Sequence, residues 1–445
     1  MFGKISFRGG VHPPHNKEAT ANLSVTEPAP PEKVIIPLVQ HIGAPAQAAV
    51  KRGDHVKVGQ EIGTAGGFVS SPVHASVSGK VLSTGLFPHP SGARVLSLEI
   101  ENDGADEHCR FEPVGDWRSA APGEIVRKIA SCGIVGMGGA SFPTHVKLSP
   151  PSDKPIDTLI LNGAECEPYL TTDHRLMLEK PDEILRGALI VRKTLGARRV
   201  VLAVEDNKGD VLKLMKEKAG SGPYEEVSVA APATKYPQGG EKQLIKALTG
   251  REVPSGGLPM DVGCVVQNVA TVYAIREAVE EGVPLYRRVV TVTGPLVRKP
   301  ANLLVRIGTP MLHLLRHCEA DLEAARKVIM GGPMTGPAQS ELEAPVIKAT
   351  SGLLVSDALV HADRAHPCIS CGNCVNACPI RLVPTRIAMH VQKENYEEAQ
   401  RGNVADCIEC GCCSFVCPSK INLVHYMKLG KYHVTKMKKA RAATA

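Results

Sequence analysis

The stretches 368-CISCGNCVNACP-379 and 407-CIECGCCSFVCP-418 decide the fold of the C-terminal part of the chain. Both have the spacing CxxCxxCxxxCP, which is typical of [4Fe-4S] clusters. Three thiolates on one tight loop can face three irons of a cubane, and in two-cluster ferredoxins the fourth cysteine binds the other cluster. The spacing therefore predicts two clusters with crossed ligands. One set is Cys368, Cys371, Cys374 and Cys417, and the other is Cys407, Cys410, Cys413 and Cys378.

Zinc is the alternative to iron, because structural zinc sites also use four cysteines. Such sites usually present two separated CxxC pairs, so the doubled CxxCxxC run favours iron–sulfur. Cys412 lies next to Cys413 and outside the register. We therefore expect Cys412 to be a small buried residue and not a ligand.

The segment between the two cysteine runs has a helical pattern. Ile387, Ala388 and Val391 recur at helical spacing, and Gly402 is a plausible helix stop. We therefore expect the clusters to lie on a helical ferredoxin module.

Composition indicates a globular protein of several domains. A chain of 445 residues with 43% hydrophobic residues exceeds one core, and length alone suggests about three or four domains. Six of the 14 cysteines lie outside the cluster runs and show no disulfide framework, which indicates a reducing compartment. No run approaches the roughly 18 apolar residues that a membrane-spanning helix needs, so any membrane association should be indirect.

The net charge of +7 is modest and lies partly in the C-terminal tail KYHVTKMKKARAATA. A basic tail can meet a membrane surface, nucleic acid or an acidic protein. A frayed, solubilising end is an equally good interpretation. We expect no nucleic-acid partner.

An all-β unit follows a lead-in rich in proline and histidine. Residues 34–113 are short β runs punctuated by glycine, and the pattern GDxVxxGQxIG followed by SGKV resembles the biotinyl/lipoyl sandwich-hybrid barrel. Carrier members of that group present a modified lysine at a hairpin tip. No lysine lies between Lys57 and Lys80, so we expect a docking or structural domain.

An α/β unit follows and contains the glycine-rich loop 133-GIVGMGGASFPTHVK-147. Glycines let backbone amides approach a phosphate or flavin closely. Such a loop is weak evidence by itself, since glycine loops are often only turns.

The resemblance becomes specific when four motifs are taken together. GMGGASFPTHVK, NGAECEP, YPQGGEKQLI and QNVATV occur in the same order as the FMN- and NADH-binding motifs of the flavoprotein subunit of respiratory NADH:quinone oxidoreductase. That subunit reads GRGGAGFPTGxK, NADEGEP, YICGEETAL and NNVET. One departure is Lys242, which stands where that subunit has the second glutamate of GEE. Another is the absence of its ESCGxCxPC segment, for which the ferredoxin module substitutes.

This resemblance implies roles for individual residues. The residues that would face flavin and nucleotide are Gly136, Gly138, Gly139, Ala140 and Phe142. Those that would contact the flavin ring, ribityl chain or phosphate are Asn162, Glu165, Gln267 and Asn268. Those that would shape the nicotinamide pocket are Lys147, Glu167, Tyr236 and Glu241, with Gly240 also assigned to cofactor binding.

The third unit resembles the soluble-ligand-binding (SLBB) β-grasp module of the same flavoproteins, and we expect it to be a spacer. The fold class is thus a multidomain α+β protein. The expected units are an irregular lead-in (1–33), a barrel-sandwich hybrid (34–113), an FMN/NADH-binding α/β domain (115–286), an SLBB β-grasp (287–345), a two-cluster ferredoxin domain (355–430) and a basic tail (431–445).

The order of these units, with the opening FRGGVHPP, is similar to the RnfC family, the peripheral NADH-side subunits of Rnf ion-translocating electron transport complexes. The resemblance implies a flavin between NADH, which gives two electrons at once, and clusters that accept one. It also implies integral membrane and ferredoxin-like partner subunits, and a place on the cytoplasmic face of the membrane. Hydride transfer needs no separate general acid or base, so no catalytic residue is assigned.

Two alternatives remain open at this point. One is an NADH-dependent cobalamin reductase of a bacterial microcompartment, which shares these modules; in that group we expect the barrel after the clusters. The other is a non-catalytic electron-transfer adaptor with a vestigial flavin loop, against which the intact glycines and the pair Asn162 and Glu165 argue. The coupling ion and the direction of electron flow cannot be read from the sequence.

Overall fold

The computed structural model describes residues 5–357 and 365–444. The predicted lead-in, ferredoxin module and tail include residues 1–4, 358–364 and 445, which lie outside the described residues. The lead-in contains one turn of helix and a short strand, α1 (Glu18–Ala21) and β1 (Val25–Thr26).

The barrel unit is all-β, as predicted. Two antiparallel sheets, ordered β2-β8-β7-β4 and β3-β5-β6, enclose a core of buried aliphatic side chains such as Val34, Ile36 and Leu98. Alternate residues of β2 point to this core, which is the period-two pattern of a strand with one buried face. The strands are β2 (Lys33–Pro37), β3 (Gln47–Ala48), β4 (His55–Val56), β5 (Glu61–Thr64), β6 (Val73–His74), β7 (Gly79–Pro88) and β8 (Arg94–Asn102).

The flavin domain is an α/β unit around a four-stranded parallel sheet in the order β11-β10-β9-β12. Its strands are nearly continuous aliphatic runs because helices cover both faces. The elements are α2 (Pro122–Ser131), α3 (Thr144–Lys147), β9 (Thr158–Asn162), α4 (Thr172–Glu179), α5 (Pro181–Leu195), β10 (Arg199–Ala203), α6 (Gly209–Ala219), β11 (Val227–Ala230), α7 (Glu241–Thr249), β12 (Cys264–Asn268) and α8 (Val269–Arg276), with short 3-10 helices at Gly222–Tyr224 and Pro259–Val262 and a π-helical turn at Glu277–Glu281.

The sheet places two of the four motifs side by side. β9 and β12 are neighbours, and Asn162 is in register with Asn268 at their carboxyl ends. Ligands of open parallel sheets bind beyond the carboxyl ends of the strands. The NGAECEP and QNVATV motifs therefore begin at the edge where a ligand is expected.

The β-grasp unit is built on a five-stranded sheet in the order β1-β14-β13-β16-β15. This sheet includes residues on both sides of the predicted boundaries at 287 and 345, because β1 comes from the lead-in and β16 follows a long loop. A two-residue strand such as β1 is too short to leave a periodic pattern. The elements are β13 (Arg287–Thr293), β14 (Ala301–Arg306), α9 (Met311–His317), β15 (Lys327–Met330) and β16 (Gly352–Ser356).

The ferredoxin module is helical, as predicted, with two helices rather than one between the cysteine runs. Gly402 ends the second of these, and Gly372 and Gly411 take matching positive φ values of 75° and 77° before the short helices that follow each CxxC loop. The elements are α10 (Asn373–Ala377), α11 (Pro384–Gln392), α12 (Tyr396–Arg401), a 3-10 helix (Val404–Asp406), α13 (Cys412–Phe415) and α14 (Leu423–Thr444).

The predicted basic tail is the continuation of α14 as far as residue 444. Within residues 5–357 and 365–444, no helix combines the length and apolar character needed to cross a bilayer.

Candidate flavin and iron–sulfur centres

The glycine-rich loop is fixed to the start of α8. The Gly136 amide donates to the Phe142 carbonyl at 2.9 Å, which closes the loop, and the Met137 amide donates to Thr271 Oγ1 at 2.9 Å. A Cβ on Gly138 would lie 2.8 Å from Asn268 Nδ2, whereas a Cβ on Gly139 would meet no atom within 4 Å. The loop is thus tightly packed on one side and leaves an open backbone surface on the other.

Asn268 joins the loop, β12 and α8. Its Oδ1 accepts from the Ala270 and Thr271 amides at 2.9 and 3.3 Å and so caps α8. Its Nδ2 donates to Asp173 Oδ2 at 2.6 Å. Both polar atoms of the side chain are therefore engaged, and its orientation is fixed.

Glu165 caps the neighbouring helix α4. Its carboxylate accepts from the Asp173 amide at 2.7 Å and the His174 amide at 3.2 Å. Burial, followed by the nearby charge of Glu165, raises the pKa of Asp173. No sequence pattern singles out Asp173, since an acidic residue in a first helical turn is ordinary.

Two further contacts bring the other motifs together. Asn162 Nδ2 donates to the Gly239 carbonyl at 2.8 Å. Lys147 Nζ donates to Glu241 Oε1 at 2.6 Å and to the Val266 carbonyl at 2.7 Å. The four motifs that the sequence separates thus meet at one site.

Several buried polar atoms around this site have no hydrogen-bond partner. Among the described residues they include Ser141 Oγ, Gln267 Nε2 and both amide atoms of Gln238. A buried unpaired polar group costs about 1–3 kcal/mol, so native proteins rarely retain one without a ligand or water. Ser141 and Gln267 lie within the FMN motifs, and the residues present therefore fit an FMN.

Two residues expected in the nicotinamide pocket point elsewhere. Glu167 accepts from the Met334 amide at 3.1 Å and from Thr335 Oγ1, and burial raises its pKa. Tyr236 donates its hydroxyl to the Cys410 carbonyl at 2.8 Å. The side chains of Lys147 and Glu241 pair with each other, and Gly240 precedes α7, whose first residue is Glu241. Glu167 thus contacts the β-grasp unit, and Tyr236 contacts the ferredoxin module.

Four cysteines line a cavity of about 350 Å³ that opens to solvent. They are Cys378 of the first run with Cys407, Cys410 and Cys413 of the second. No three or more His, Cys, Asp or Glu side chains of the described chain converge on a single ion. The thiols instead surround a space, as cubane ligands do because each binds a different iron. This donor set fits a [4Fe-4S] cluster with the crossed ligands that the sequence predicts.

The remaining four cysteines form the other predicted set. Cys374 and Cys417 are buried, and the pKa of Cys374 is raised, chiefly by burial and also by the nearby Cys417 thiol. Cys368 and Cys371 are exposed. This set also takes one cysteine from the other run, and two of its members reach the surface.

The second cysteine set packs against the flavin domain. An apolar contact between the two domains contains Tyr236, Ala377 and Cys412, with Cys166 and Cys410 packed against it. Cys412 is fully buried and its thiol lies 3.9 Å from the Tyr236 carbonyl. It is thus the small buried residue that the sequence predicts, and it lies between the flavin domain and the cluster cavity.

A buried lysine fixes the start of the glycine-rich loop. Lys348 Nζ donates to the Gly133 carbonyl at 2.7 Å and to the Pro72 carbonyl of the barrel at 2.8 Å. Both acceptors are uncharged, and burial lowers the pKa of Lys348 from 10.5 to about 7. The junction of three domains is therefore held by an amine that titrates near neutral pH.

This lysine should give stability a characteristic pH dependence. Between pH 7 and 10.5 the unfolded state binds the proton that the folded state has lost, so the free energy of unfolding rises with pH by about 1 kcal/mol per unit. Below about pH 7 both states bind the proton and the slope disappears. We expect Tm, measured at pH 7 and pH 9, to rise more in the wild type than in Lys348→Met. Equal changes would contradict the assignment.

Four family models match successive parts of the chain. They are the RnfC barrel sandwich hybrid domain (residues 5–105), the Nuo51 FMN-binding domain (129–277), the SLBB domain (289–338) and a 4Fe-4S dicluster domain (361–418). The predicted multidomain fold and the predicted FMN and [4Fe-4S] cofactors are thereby confirmed.

Solved structures with a similar fold include two of an NAD+-reducing [NiFe]-hydrogenase. In the H2-reduced state the TM-score is 0.50 at 18% identity, covering 72% of this chain and 64% of that chain. In the air-oxidised state the TM-score is 0.50 at 21% identity, covering 69% of this chain and 60% of that chain. This chain thus spans less than two thirds of the hydrogenase chains, and the likeness concerns the fold.

Curated relatives match over most of the chain. The RnfC-type member of the proton-translocating ferredoxin:NAD(+) oxidoreductase complex of Clostridium ljungdahlii is 48% identical and is matched over 95% of this chain and 93% of its own length. The Na(+)-translocating counterpart of Acetobacterium woodii is 45% identical over 96% and 97%. The corresponding member of the ion-translocating oxidoreductase complex of Pasteurella multocida is 41% identical over 96% of this chain and 51% of its own length, about half of that relative. The chain therefore belongs to the RnfC family of ion-translocating oxidoreductase complexes.

Proposed function

We propose that this chain transfers electrons between NAD(H), FMN and two [4Fe-4S] clusters as a peripheral subunit of an Rnf-type ferredoxin:NAD+ oxidoreductase. Membrane subunits of such a complex couple the electron flow to ion translocation. The observation that carries the proposal is the contact between the two centres. Tyr236, in a flavin-domain motif, donates to the backbone of Cys410, in the second cysteine set, at 2.8 Å.

The chemistry requires a group that accepts two electrons and releases them singly, and bound FMN supplies it. The residues of this chain bind and orient. The open backbone at Gly139 and the loop amides suit an anionic phosphate. Asp173 fixes the Asn268 amide, and the Lys147–Glu241 pair borders the same site. Alignment of donor and acceptor is the main contribution of such residues to hydride transfer.

The arrangement also gives an order for the clusters. The second set packs against the flavin domain, whereas Cys368 and Cys371 of the first set are exposed. Ile369, between these two cysteines, is 67% exposed, which is unusual for a large apolar side chain beside a redox site. We assign the flavin-side step to the second cluster and the contact with a ferredoxin-like or membrane subunit to the first.

Attachment to the cytoplasmic face of the membrane would then depend on these partner subunits. The basic residues of α14, such as Lys436, Lys438 and Lys439, would add an attraction for anionic lipid. Such residues contribute about 1 kcal/mol each near a charged surface and are screened by salt. Protein contacts should therefore dominate. The two relatives with the longest shared coverage are named for different ions, H+ and Na+, so the proposal names no ion.

The alternatives have less support. Family membership and the barrel at the start of the chain favour an Rnf subunit over a cobalamin reductase. The unpaired buried atoms of Ser141 and Gln267 favour a chain that binds a flavin over an adaptor with a vestigial loop.

Anaerobic mixing with NADH tests the proposal. We expect acid precipitation to release one FMN per chain, and NADH to bleach the flavin absorbance before the cluster absorbance changes, because the two-electron donor must react first with the flavin. Stopped-flow spectra separate the two signals. Protein that releases no flavin, or whose clusters respond while the flavin does not, would contradict the proposed order.

A further inference from the structure

A segment of the lead-in, residues 7–17, connects the ferredoxin module with the flavin site; we name it the N-terminal bridge. At its start, Lys235 Nζ donates to the Phe7 carbonyl at 2.7 Å and lies 4.4 Å from the centre of the Phe7 ring. At its end, Lys17 Nζ donates to the carbonyl of Glu165, the residue that caps α4. The bridge therefore contacts the flavin domain at both ends.

The middle of the bridge lies between the two redox domains. The Gly10 amide donates to the Ala377 carbonyl at 2.8 Å, next to the cluster cysteine Cys378. The Val11 amide donates to the Tyr236 carbonyl at 2.8 Å, and the Tyr236 amide donates to the Val11 carbonyl at 2.9 Å. Backbone bonds through two consecutive residues thus join Tyr236 to the segment that carries Cys378.

Neither Gly9 nor Gly10 has room for a side chain. Both have positive φ values, 84° and 81°, which favour glycine. A Cβ on Gly9 would lie 2.8 Å from the Cys378 carbonyl oxygen. A Cβ on Gly10 would lie 2.6 Å from the Tyr236 carbonyl oxygen. An alanine at either position would force one of these backbones to move by a sizeable fraction of an ångström.

The end of the bridge is equally fixed. Lys17 is buried, its pKa is lowered chiefly by that burial, and its amine lies 3.9 Å from Glu165 Oε2. The Tyr169 amide donates to the His15 carbonyl at 2.8 Å. The same segment that contacts Cys378 thus also contacts the turn of the second flavin motif.

We propose that the N-terminal bridge sets the separation between the flavin site and the second cluster, and that Gly9 and Gly10 are positioning residues for electron transfer between them. The proposal rests on the proposed function. The bridge carries no electron and none of its bonds changes. Its effect is geometric, and electron transfer between two centres slows steeply as they are moved apart.

The test compares Gly9→Ala and Gly10→Ala with Gly92→Ala. Gly92 is a matched control, since its φ is 85° and a Cβ there would meet no atom within 4 Å. We expect all three variants to keep wild-type FMN and iron and to bleach the flavin with NADH at the wild-type rate. In Gly9→Ala and Gly10→Ala, but not in Gly92→Ala, the subsequent cluster reduction should slow about tenfold, the order expected for a displacement below 1 Å.

A second readout needs neither NADH nor flavin. In chemical reduction followed by electron paramagnetic resonance, Gly9→Ala should alter the line shape or midpoint potential of the second cluster, because the new Cβ meets the Cys378 backbone. Gly10→Ala should leave both unchanged, because its Cβ meets Tyr236. Failure of NADH to reduce the wild-type flavin would count against the proposed function, and this readout would still decide on the bridge.

Wild-type cluster reduction in both glycine variants would overturn the proposal. If a glycine variant loses its iron, the decision passes to Lys235→Met, which removes the bond to the Phe7 carbonyl without adding bulk at the bridge. Slower cluster reduction in Lys235→Met, with cofactors retained and flavin bleaching unchanged, supports the bridge, and an unchanged rate overturns it.

Discussion

Cys378→Ser combined with Cys407→Ser is expected to leave about four irons per chain, whereas Cys378→Ser combined with Cys368→Ser is expected to leave almost none. The wild type should carry about eight irons in two cubanes. With crossed ligands, the first pair of substitutions damages one cluster twice and spares the other. The second pair damages both clusters. Iron and sulfide assays on anaerobically purified protein measure the difference.

The geometry behind this expectation is the cavity that Cys378 shares with Cys407, Cys410 and Cys413. If each run held its own cluster, the outcome would be reversed, with almost no iron after the Cys378 and Cys407 substitutions and about four irons after the Cys378 and Cys368 substitutions. Cys412→Ser is the matched control. Cys412 is a buried cysteine beside the same cavity, and its replacement should leave about eight irons. Stoichiometric zinc in the wild type would contradict the cluster assignment altogether.

The parts of the fold that were predictable are those that depend on local spacing. A CxxCxxC loop and a glycine-rich loop each place their chemistry within one turn, so their sequence alone indicates the site. The strands β9, β10 and β12 are aliphatic runs whose length and flanking helices predict a parallel sheet. The ligand edge of the flavin domain follows, because the motifs begin where Asn162 and Asn268 end their strands.

The parts that were not predictable depend on contacts between residues distant in sequence. The lead-in, expected to be irregular, forms the N-terminal bridge largely through backbone hydrogen bonds such as that from Gly10 to Ala377. Backbone contacts leave no side-chain pattern to detect, and Gly9–Gly10 reads only as a turn. Tyr236 lies in a motif expected at the nicotinamide, but its hydroxyl reaches Cys410. A motif gives the position of a residue in the chain, and the packing of the domains decides which partner it meets.

Substitutions at two adjacent glycines should separate the support of the flavin site from the surface that the flavin contacts. Gly138→Ala is expected to weaken FMN binding about a hundredfold and to lower Tm. The new Cβ would lie 2.8 Å from Asn268 Nδ2, so Asn268 must give up the α8 cap or the bond to Asp173. A cap and a hydrogen bond to a carboxylate together contribute about 3 kcal/mol, which corresponds to about two decades in Kd.

Gly139→Ala should behave differently, because a Cβ there meets no protein atom within 4 Å. The Tm of the flavin-free protein should equal that of the wild type, while FMN affinity, measured by flavin fluorescence during reconstitution, should fall about tenfold because the methyl group occupies space beside the loop amides. Gly115→Ala is the matched control, since Gly115 also faces open space but lies outside the four motifs. It should change neither quantity. Wild-type FMN affinity in Gly139→Ala would place the flavin away from this face of the loop, whereas a lowered Tm in flavin-free Gly139→Ala would mean that the open surface is needed by the protein itself.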